Sequence, residues 1–404
     1  MSARSLDIGI AGAGVAGLAA AALLARAGHQ ITVYDQFPAP APVGSGLMIQ
    51  PVGLAVLGQL GLAEEMIALA SPITRLLGRT EPRGRAVLDV RYPRGYRGLA
   101  VQRGALFDLL YRTAVQTGAR VVPGTRVSGT EEQGGKIALL TNSGALGPFD
   151  LALDCLGPRS ALCPVAAADL AFGALWGLVD WPEDGPFDDG HLAQRYRAAS
   201  VMAGVLPVGR ARPRTPRKAT FFWSLRMADH AAWLARPLDD WKAEVLELWP
   251  DCACLLDRIR DHRDLTFARY AHRTLGRPVS GRLAHLGDSY HATSPQLGQG
   301  ANMALLDAMA LAVAVEQCAD VETTLARYAA LRRWHVRIYQ AASWLFTPAY
   351  QSDSRALPIF RDWVMAPLGR IPPVPSILAM LVGGKIGGPL VGMGLEWPAP
   401  RDGW

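Results

Sequence analysis

Cysteine is sparse in this chain. Five are spread over 404 residues, and none forms a C-x-x-C pair. Cys252 and Cys254 lie close together, but two thiols alone make no metal box. No metal site and no disulfide framework are expected, and free thiols in a reducing cytoplasm follow. Charged residues are also few, at 19%. The formal net charge is +6, but the basic residues are nearly all arginines scattered along the chain, so no nucleic-acid partner is expected. No unbroken apolar run reaches the length that spans a bilayer. No secretory pattern precedes the first strand-like run at Ile8, and the expected location is the cytoplasm. Internal repeats are absent.

What remains is a chain with 50% apolar residues, long enough for a large core and for two domains. Its most informative stretch comes first. Ile8 to Ala11 is apolar and is followed by Gly12-Ala13-Gly14-Val15-Ala16-Gly17. An Ala/Leu-rich stretch from Leu18 to Ala27 stops at Gly28, and a β-branched run, Ile31 to Tyr34, ends on Asp35. Strand, glycine turn, helix, strand and acid form the context that a dinucleotide fingerprint requires. Gly12 permits the turn, Gly14 lets backbone approach a pyrophosphate, and Gly17 lets the helix pack on the strand. The helix N-terminus presents N–H groups to phosphate, and Asp35 is placed to accept from a ribose diol.

The pattern resumes far downstream. Arg282 to Leu286 is a strand ending in Gly287-Asp288, and the turn Gly298-Gln299-Gly300-Ala301-Asn302 opens a second helix. Asp288 at a strand exit suits a sugar-like hydroxyl. The second helix N-terminus suits negative charge, as at the pyrimidine end of a reduced flavin. A dinucleotide with a diol at each end, a central pyrophosphate and a ring system that becomes anionic is FAD.

On these residues the chain resembles the FAD-dependent aromatic hydroxylases, flavoprotein monooxygenases of the p-hydroxybenzoate hydroxylase class. Gly12, Gly14, Gly17 and Asp35 match the first family motif. Gly287-Asp288 with His291, Pro295, Gly298, Gly300, Asn302 and Asp307 matches the Gly-Asp motif, and Arg103 matches the arginine that contacts the FAD phosphates. The resemblance spans about residues 1–350 and is weak across the middle. The expected FAD contacts also take in Ala16, Gln36, Gly46, Val127 and Ala301. The third family motif departs from its pattern: where Ala-Asp-Gly is usual, the chain has Cys155-Leu156-Gly157 and then Ser160. Leu156 replaces an aspartate that in the family serves both FAD and the nicotinamide cofactor.

The resemblance implies an enzyme in which NAD(P)H, docked transiently, reduces FAD. O₂ then adds at flavin C4a as a hydroperoxide, and an electron-rich aromatic or polyketide-like small molecule is hydroxylated. A non-hydroxylating relative (an oxidase, a dehydrogenase, or a two-component enzyme fed reduced flavin) stays open because of Leu156. A flavin halogenase fits poorly. Trp176 to Pro182 reads W-G-L-V-D-W-P, without that family's W-x-W-x-I-P, and no lysine precedes Lys136. Candidate catalytic residues are His291, for proton handling, with Pro295 and Gln50. His291 as a satisfied buried histidine and Pro295 as a loop stiffener are the plainer alternatives. Gly44 to Gly46 and Pro295 to Gly300 are candidate walls of the flavin site.

The expected fold class is α/β (α+β overall). A Rossmann-like FAD-binding domain (residues 1–75, 98–170 and 270–325) is interleaved with a mostly antiparallel substrate domain (76–97 and 171–269), and a helical region covers 326–404. Strands are expected over Arg120 to Val127, Leu175 to Trp181, Leu192 to Leu206 and Ala219 to Met227, with the aromatics of the middle sheet on one face. Trp176, Tyr196, Phe221 and Trp223 are the candidate substrate pocket, with ordinary core as the alternative. A monomer or homodimer is expected. The apolar tail from Val374 to Leu395 suits either packing on the FAD domain or peripheral contact with a membrane.

Overall fold

The computed structural model describes residues 5–39, 45–82 and 84–401. Gly44, one of the expected flavin-site walls, lies outside them. The strand Asp7–Ala11 is buried along its apolar residues. It pairs in parallel with Gln30–Tyr34 on one side and Leu151–Asp154 on the other. The intervening helix, Val15–Arg26, is made largely of alanine and leucine, and Leu18 to Ala22 are fully buried. Small side chains there let the helix lie close to both the sheet and the later helix Gly300–Gln317. Gly28, at φ +92°, turns the chain back into the sheet, a conformation that costs a side-chain-bearing residue about 1 kcal/mol or more.

The first sheet has six strands in the order Val279–Ser280, Leu283–His285, Leu151–Asp154, Asp7–Ala11, Gln30–Tyr34 and Arg120–Val122. All neighbours are parallel except the Val279–Ser280 edge pair. The parallel strands therefore end along one side, where an open α/β sheet holds its ligands. The expected strand from Arg120 to Val127 is two separate pieces. Gly124, at φ +68°, breaks it, and Val127–Gln133 joins a different, three-stranded sheet.

A second sheet has seven strands, ordered Leu265–Ala268, Phe172–Asp180, Lys218–Arg226, Val201–Pro207, His191–Arg197, Arg75–Thr80 and Ala86–Arg91. It is antiparallel apart from the parallel pairing of His191–Arg197 with Arg75–Thr80. The run from Leu192 to Leu206 is a hairpin, turned where Ala198 adopts φ +54°. One face packs on Trp233, Trp241 and Val245, from the helix Leu238–Leu248 and its neighbours. The opposite face meets two other groups. Met48, Ile73 and Ala100, from a small sheet formed by Gly46–Ile49, Gly98–Gln102 and Ser71–Ile73, pack on Leu206 and Val208. Ala349 and Tyr350, from the long helix Val321–Tyr350, pack on Tyr196 and Phe222. Among the described residues, no helix is long and apolar enough to cross a membrane.

Candidate functional site

Two glycine turns meet at the edge of the first sheet. Gly12 sits at φ +106°, and a Cβ there would strike the Cys155 carbonyl. A Cβ on Gly17 would strike the Gly12 carbonyl, so the helix approaches its own entry turn more closely than any side chain allows. Gly14 differs from both, because nothing lies within 4 Å of its added Cβ. It caps the helix with no side-chain cap and no acid in the first turn. The first intrahelical bond runs from Leu18 N–H to the Gly14 carbonyl at 3.0 Å, so the N–H groups of Val15, Ala16 and Gly17 find no earlier acceptor in the helix. This is an open cradle with a positive helix end, suited to a pyrophosphate.

Asp35 accepts from Ala13 N–H at 2.8 Å and Phe37 N–H at 3.0 Å, one bond on each carboxylate oxygen. Both oxygens keep a lone pair for a ribose hydroxyl, while the turn is held in shape. Gln36 is exposed beside it. Val127 has its side chain buried under the first sheet, so only its backbone can serve a ligand. Arg103 begins the helix Arg103–Gln116, with its N–H on the Ser45 carbonyl at 2.9 Å and its side chain exposed.

Asp288 lies close enough to Arg103 for the two charges to interact. Its side chain is open to water at the strand exit, with protein packed around it. Burial pushes its carboxyl above the ordinary range, and His291 and Arg103 pull it back. Gly287, at φ +64°, packs towards Ala16, which brings the two motifs side by side.

The other end of the site is built by the second helix. Gly298 adopts φ +60° and turns the chain into Gly300–Gln317, again with no acid in the first turn. Asn302 is committed to the framework: it accepts from Gln50 N–H at 2.8 Å and donates to the Met48 and Gly298 carbonyls, each at 3.0 Å. It thereby fastens the strand Gly46–Ile49 to the helix start. Gln50 is 1% exposed. The Tyr92 hydroxyl donates to its Oε1 at 2.5 Å, while its Nε2 has no partner among the described residues and faces Gly298, whose added Cβ would lie 3.7 Å away. A buried amide without an acceptor is costly, so this donor is set for a ligand atom at the turn. Gly46 abuts Thr220 of the second sheet and Val208 just beyond its strand, and the Thr220 hydroxyl is likewise buried without a partner among the described residues. Pro295 opens the short turn Pro295–Leu297 on the same rim.

His291 is fully buried, and its Nε2 lies 2.6 Å from Asp307 Oδ2. Asp307 also accepts from Gly287 N–H at 2.7 Å and Arg332 Nε at 2.6 Å. Burial alone would raise the Asp307 carboxyl, but His291 and Arg332 overcome it and hold it below the ordinary carboxylate range. Next along, His335 contacts Arg332 and the Gly384 carbonyl. Burial, then Arg332, pushes its imidazole well below the ordinary value. A histidine that stays neutral when folded but takes a proton when unfolded, below about pH 6.5, favours the unfolded chain. Stability is therefore expected to fall as pH drops below about 6.5, by up to about 1.4 kcal/mol per pH unit. Melting temperatures read between neutral pH and pH 5 would show the slope, and His335→Gln should flatten it; an unchanged slope would refute this assignment.

The four candidate pocket aromatics are not brought together. Successive residues of a strand point to opposite faces, so Phe221 and Trp223 enter the core with Trp233 and Trp241. Trp176 and Tyr196 lie on the other face with Phe222. There Trp176 Nε1 donates to the Tyr270 hydroxyl at 2.7 Å. Tyr270, Tyr92, Thr220 and Phe222 were not singled out from the sequence. For Thr220 and Phe222 the only signal was strand alternation, which needs the register, and Tyr92 and Tyr270 lie just outside their strands.

The third motif also has a structural explanation. Asp154, two residues before Leu156, is fully buried. It accepts from Ser160 Oγ at 2.7 Å and Leu156 N–H at 3.1 Å, and lies 2.8 Å from His285 Nδ1. The carboxylate at this strand exit thus holds the turn together from inside and presents nothing to the cleft.

The donor set fits FAD: a glycine cradle with free N–H groups, carboxylates at two strand exits, an arginine, and an orphaned amide at a second helix start. Comparison with known proteins agrees. A family profile described as FAD binding domain matches residues 5–146 and 195–340. A FAD-dependent urate hydroxylase of Klebsiella pneumoniae is 26% identical over 345 residues, covering 81% of this chain and 86% of the relative. A phenazine 1,6-dicarboxylic acid hydroxylase, PhzS, of Lysobacter antibioticus is 30% identical over 382 residues, covering 82% and 88%. Among solved structures, the tetrameric 2-methyl-3-hydroxypyridine-5-carboxylic acid oxygenase superposes with a TM-score of 0.79 at 18% identity, covering 98% of this chain and all of that one. Klebsiella pneumoniae HpxO, complexed with FAD and uric acid, reaches 0.75 at 21% identity, covering 94% and 98%. At these identities the superpositions speak to the fold.

Proposed function

Because the chain belongs to the FAD-dependent aromatic hydroxylases, flavoprotein monooxygenases that bind FAD, we propose that it uses NAD(P)H and O₂ to hydroxylate an aromatic or polyketide-like small molecule. The observation that carries the reading is the paired strand exits, each followed by an uncapped helix N-terminus, with the Gln50 amide aimed at the second. When bound, FAD supplies the redox chemistry that activates O₂.

The chain's own residues hold and shape. Gly12 to Gly17 would cradle the pyrophosphate, Asp35 the adenosine ribose, and Arg103 and Asp288 the phosphates and the flavin-side sugar alcohol. Gln50, braced by Tyr92, donates at the Gly298 turn and would neutralise charge there together with the helix start. The sheet face carrying Trp176, Phe222 and Thr220 would line the substrate side, where a planar ring can lie against aromatics. Urate and phenazine, named in two relatives, are ring systems of that kind. The protein would act in the cytoplasm as a monomer or homodimer.

A second reading, a flavin enzyme that does not hydroxylate or that receives reduced flavin from a partner, is favoured by one observation. Asp154 is bound inward, so the third strand exit offers no free carboxylate for nicotinamide docking. Anaerobic addition of NADH or NADPH to the yellow holoprotein separates the two. Bleaching of the flavin band is expected, and a band indifferent to both nucleotides would transfer the argument to the second reading. Asp288→Ala should weaken FAD binding about tenfold or more, since a hydrogen bond to a charged group contributes about 1.5–3 kcal/mol. Full flavin retention on gel filtration would refute the role given to Asp288.

A further inference from the structure

The C-terminal helices carry an apolar surface that the flavin site does not use. Trp344 and Leu345 are 71% and 65% exposed, Ile359 62% and Trp363 57%, with Phe360 and Ile371 also more than half exposed. Apart from Ile371, these residues lie on the helices Val321–Tyr350 and Ala356–Phe360 and the helical segment that continues from them. Their inward neighbours Phe346, Ala349, Tyr350, Met365 and Ala366 share a single cluster against the second sheet, so the outward ones lie together above it. The chain from 371 to 384 then runs without a single charged residue.

The unpaired charge within this C-terminal segment is basic. Residues 333–380 contain five arginines and two acids, Asp353 and Asp362, and each acid is already paired, with Arg226 and Arg361. Arg361 is buried, which leaves Arg333, Arg337, Arg355 and Arg370 at the surface without a paired carboxylate among the described residues. Arg333 and Arg337 flank the exposed Trp334 ring, and Arg85 stacks on Trp363. Tryptophan beside arginine, around aliphatic residues, is the composition of a surface half in hydrocarbon and half among headgroups.

We propose that this face docks on an anionic lipid bilayer, with Trp344, Ile359, Phe360 and Trp363 entering the headgroup boundary and the arginine rim meeting lipid phosphates. A second copy of the chain is the weaker occupant. A twofold contact apposes the same patch to itself and would set an arginine rim against an arginine rim with no free carboxylate on either side.

The test is flotation of the full FAD-loaded protein with phosphatidylcholine vesicles, with and without phosphatidylglycerol. Binding is expected to the anionic vesicles and to fall with added salt. The double variant Arg355→Ser/Arg370→Ser should bind about thirtyfold more weakly, from about 1 kcal/mol per arginine at an anionic surface and 1.4 kcal/mol per tenfold. Ile359→Ser/Trp363→Ser should lose binding while keeping its flavin absorbance, which guards against simple misfolding. Failure to float with either vesicle would overturn the proposal, and equal binding to both would overturn its charge argument. A parent dimer that Ile359→Ser/Trp363→Ser converts to monomer, with no vesicle binding by either, would assign the face to a second copy instead. Flavin reduction by NAD(P)H is unaffected by any of these outcomes, so this proposal and the catalytic one fail separately.

Discussion

Asp307→Ala should destabilise the protein by about 3–5 kcal/mol, the cost of leaving a buried charge without its partner. Arg332 is fully buried, and Asp307 is the carboxylate it meets, at 2.6 Å. Truncation would also strip acceptors from His291 Nε2 and the Gly287 N–H. The last of these reaches the site itself, because Gly287 sets the backbone from which Asp288 projects. Weaker FAD binding should therefore accompany the lost stability. Urea denaturation of the apoprotein measures the first effect, and flavin titration the second. Asp307→Asn keeps an acceptor oxygen but not the charge, and should fall between parent and Ala. Replacing both ends, Asp307→Leu with Arg332→Met, removes the orphaned charge and should recover much of the loss. A single Ala variant within about 1 kcal/mol of the parent, the ordinary scale of a point change, would mean that water replaces the carboxylate and the cluster is no support for the site.

That cluster shows where sequence reading stops. Asp307 stands out as an acid on an apolar helix. Its partners, however, come from Gly287, His291 and Arg332, and only packing of two helices against a strand exit brings them together. The first thirty-five residues were legible because the information is local: glycine spacing, helix stop and acid all lie within one strand–helix–strand unit. Pro123-Gly124 is itself a turn signal at the break, whereas the hairpin turns on Ala198, a non-glycine residue at φ +54°, and carries no such mark. The mostly antiparallel middle sheet was legible, but the placing of its aromatics was not, for a different reason. Phe221, Phe222 and Trp223 are consecutive, so two faces are aromatic, and composition cannot tell which one the helix Leu238–Leu248 will cover. Gln50 and Tyr92 are 42 residues apart, and no pattern in either segment announces the other. Leu156 stands out in the sequence on its own, but the inward role of Asp154 depends on His285, from a strand more than a hundred residues later.

Gly14→Ala and Gly17→Ala should separate the two ways a glycine can serve this site. At Gly17 an added Cβ runs into the Gly12 carbonyl, with the Cys155 side chain 3.3 Å away. Gly12 cannot yield easily, since its N–H is held by the Tyr34 carbonyl at 2.7 Å and the adjoining Cys155 N–H by Ala11 at 2.8 Å. The helix must move off the strand, at about 1–3 kcal/mol for overpacking, and its N-terminal N–H groups move with it. Stability and FAD affinity should fall together. At Gly14 the Cβ meets nothing, and φ −79° with ψ −171° is open to any residue. The poorer cap that alanine makes is offset by the smaller entropy of the unfolded chain, about 0.4–1 kcal/mol, so apoprotein stability should hardly change. The same methyl projects into the cradle, where a pyrophosphate would need the backbone bare. Losing two hydrogen bonds to a charged group, at about 1.5–3 kcal/mol each, weakens FAD about a hundredfold or more. The pair is read by urea midpoints of the apoproteins beside FAD titrations. A Gly14→Ala protein that binds FAD as the parent does would place the pyrophosphate elsewhere. A Gly17→Ala protein as stable as the parent would mean the entry turn can relax outward, and that contact between helix and strand is not what sets the geometry of the cradle.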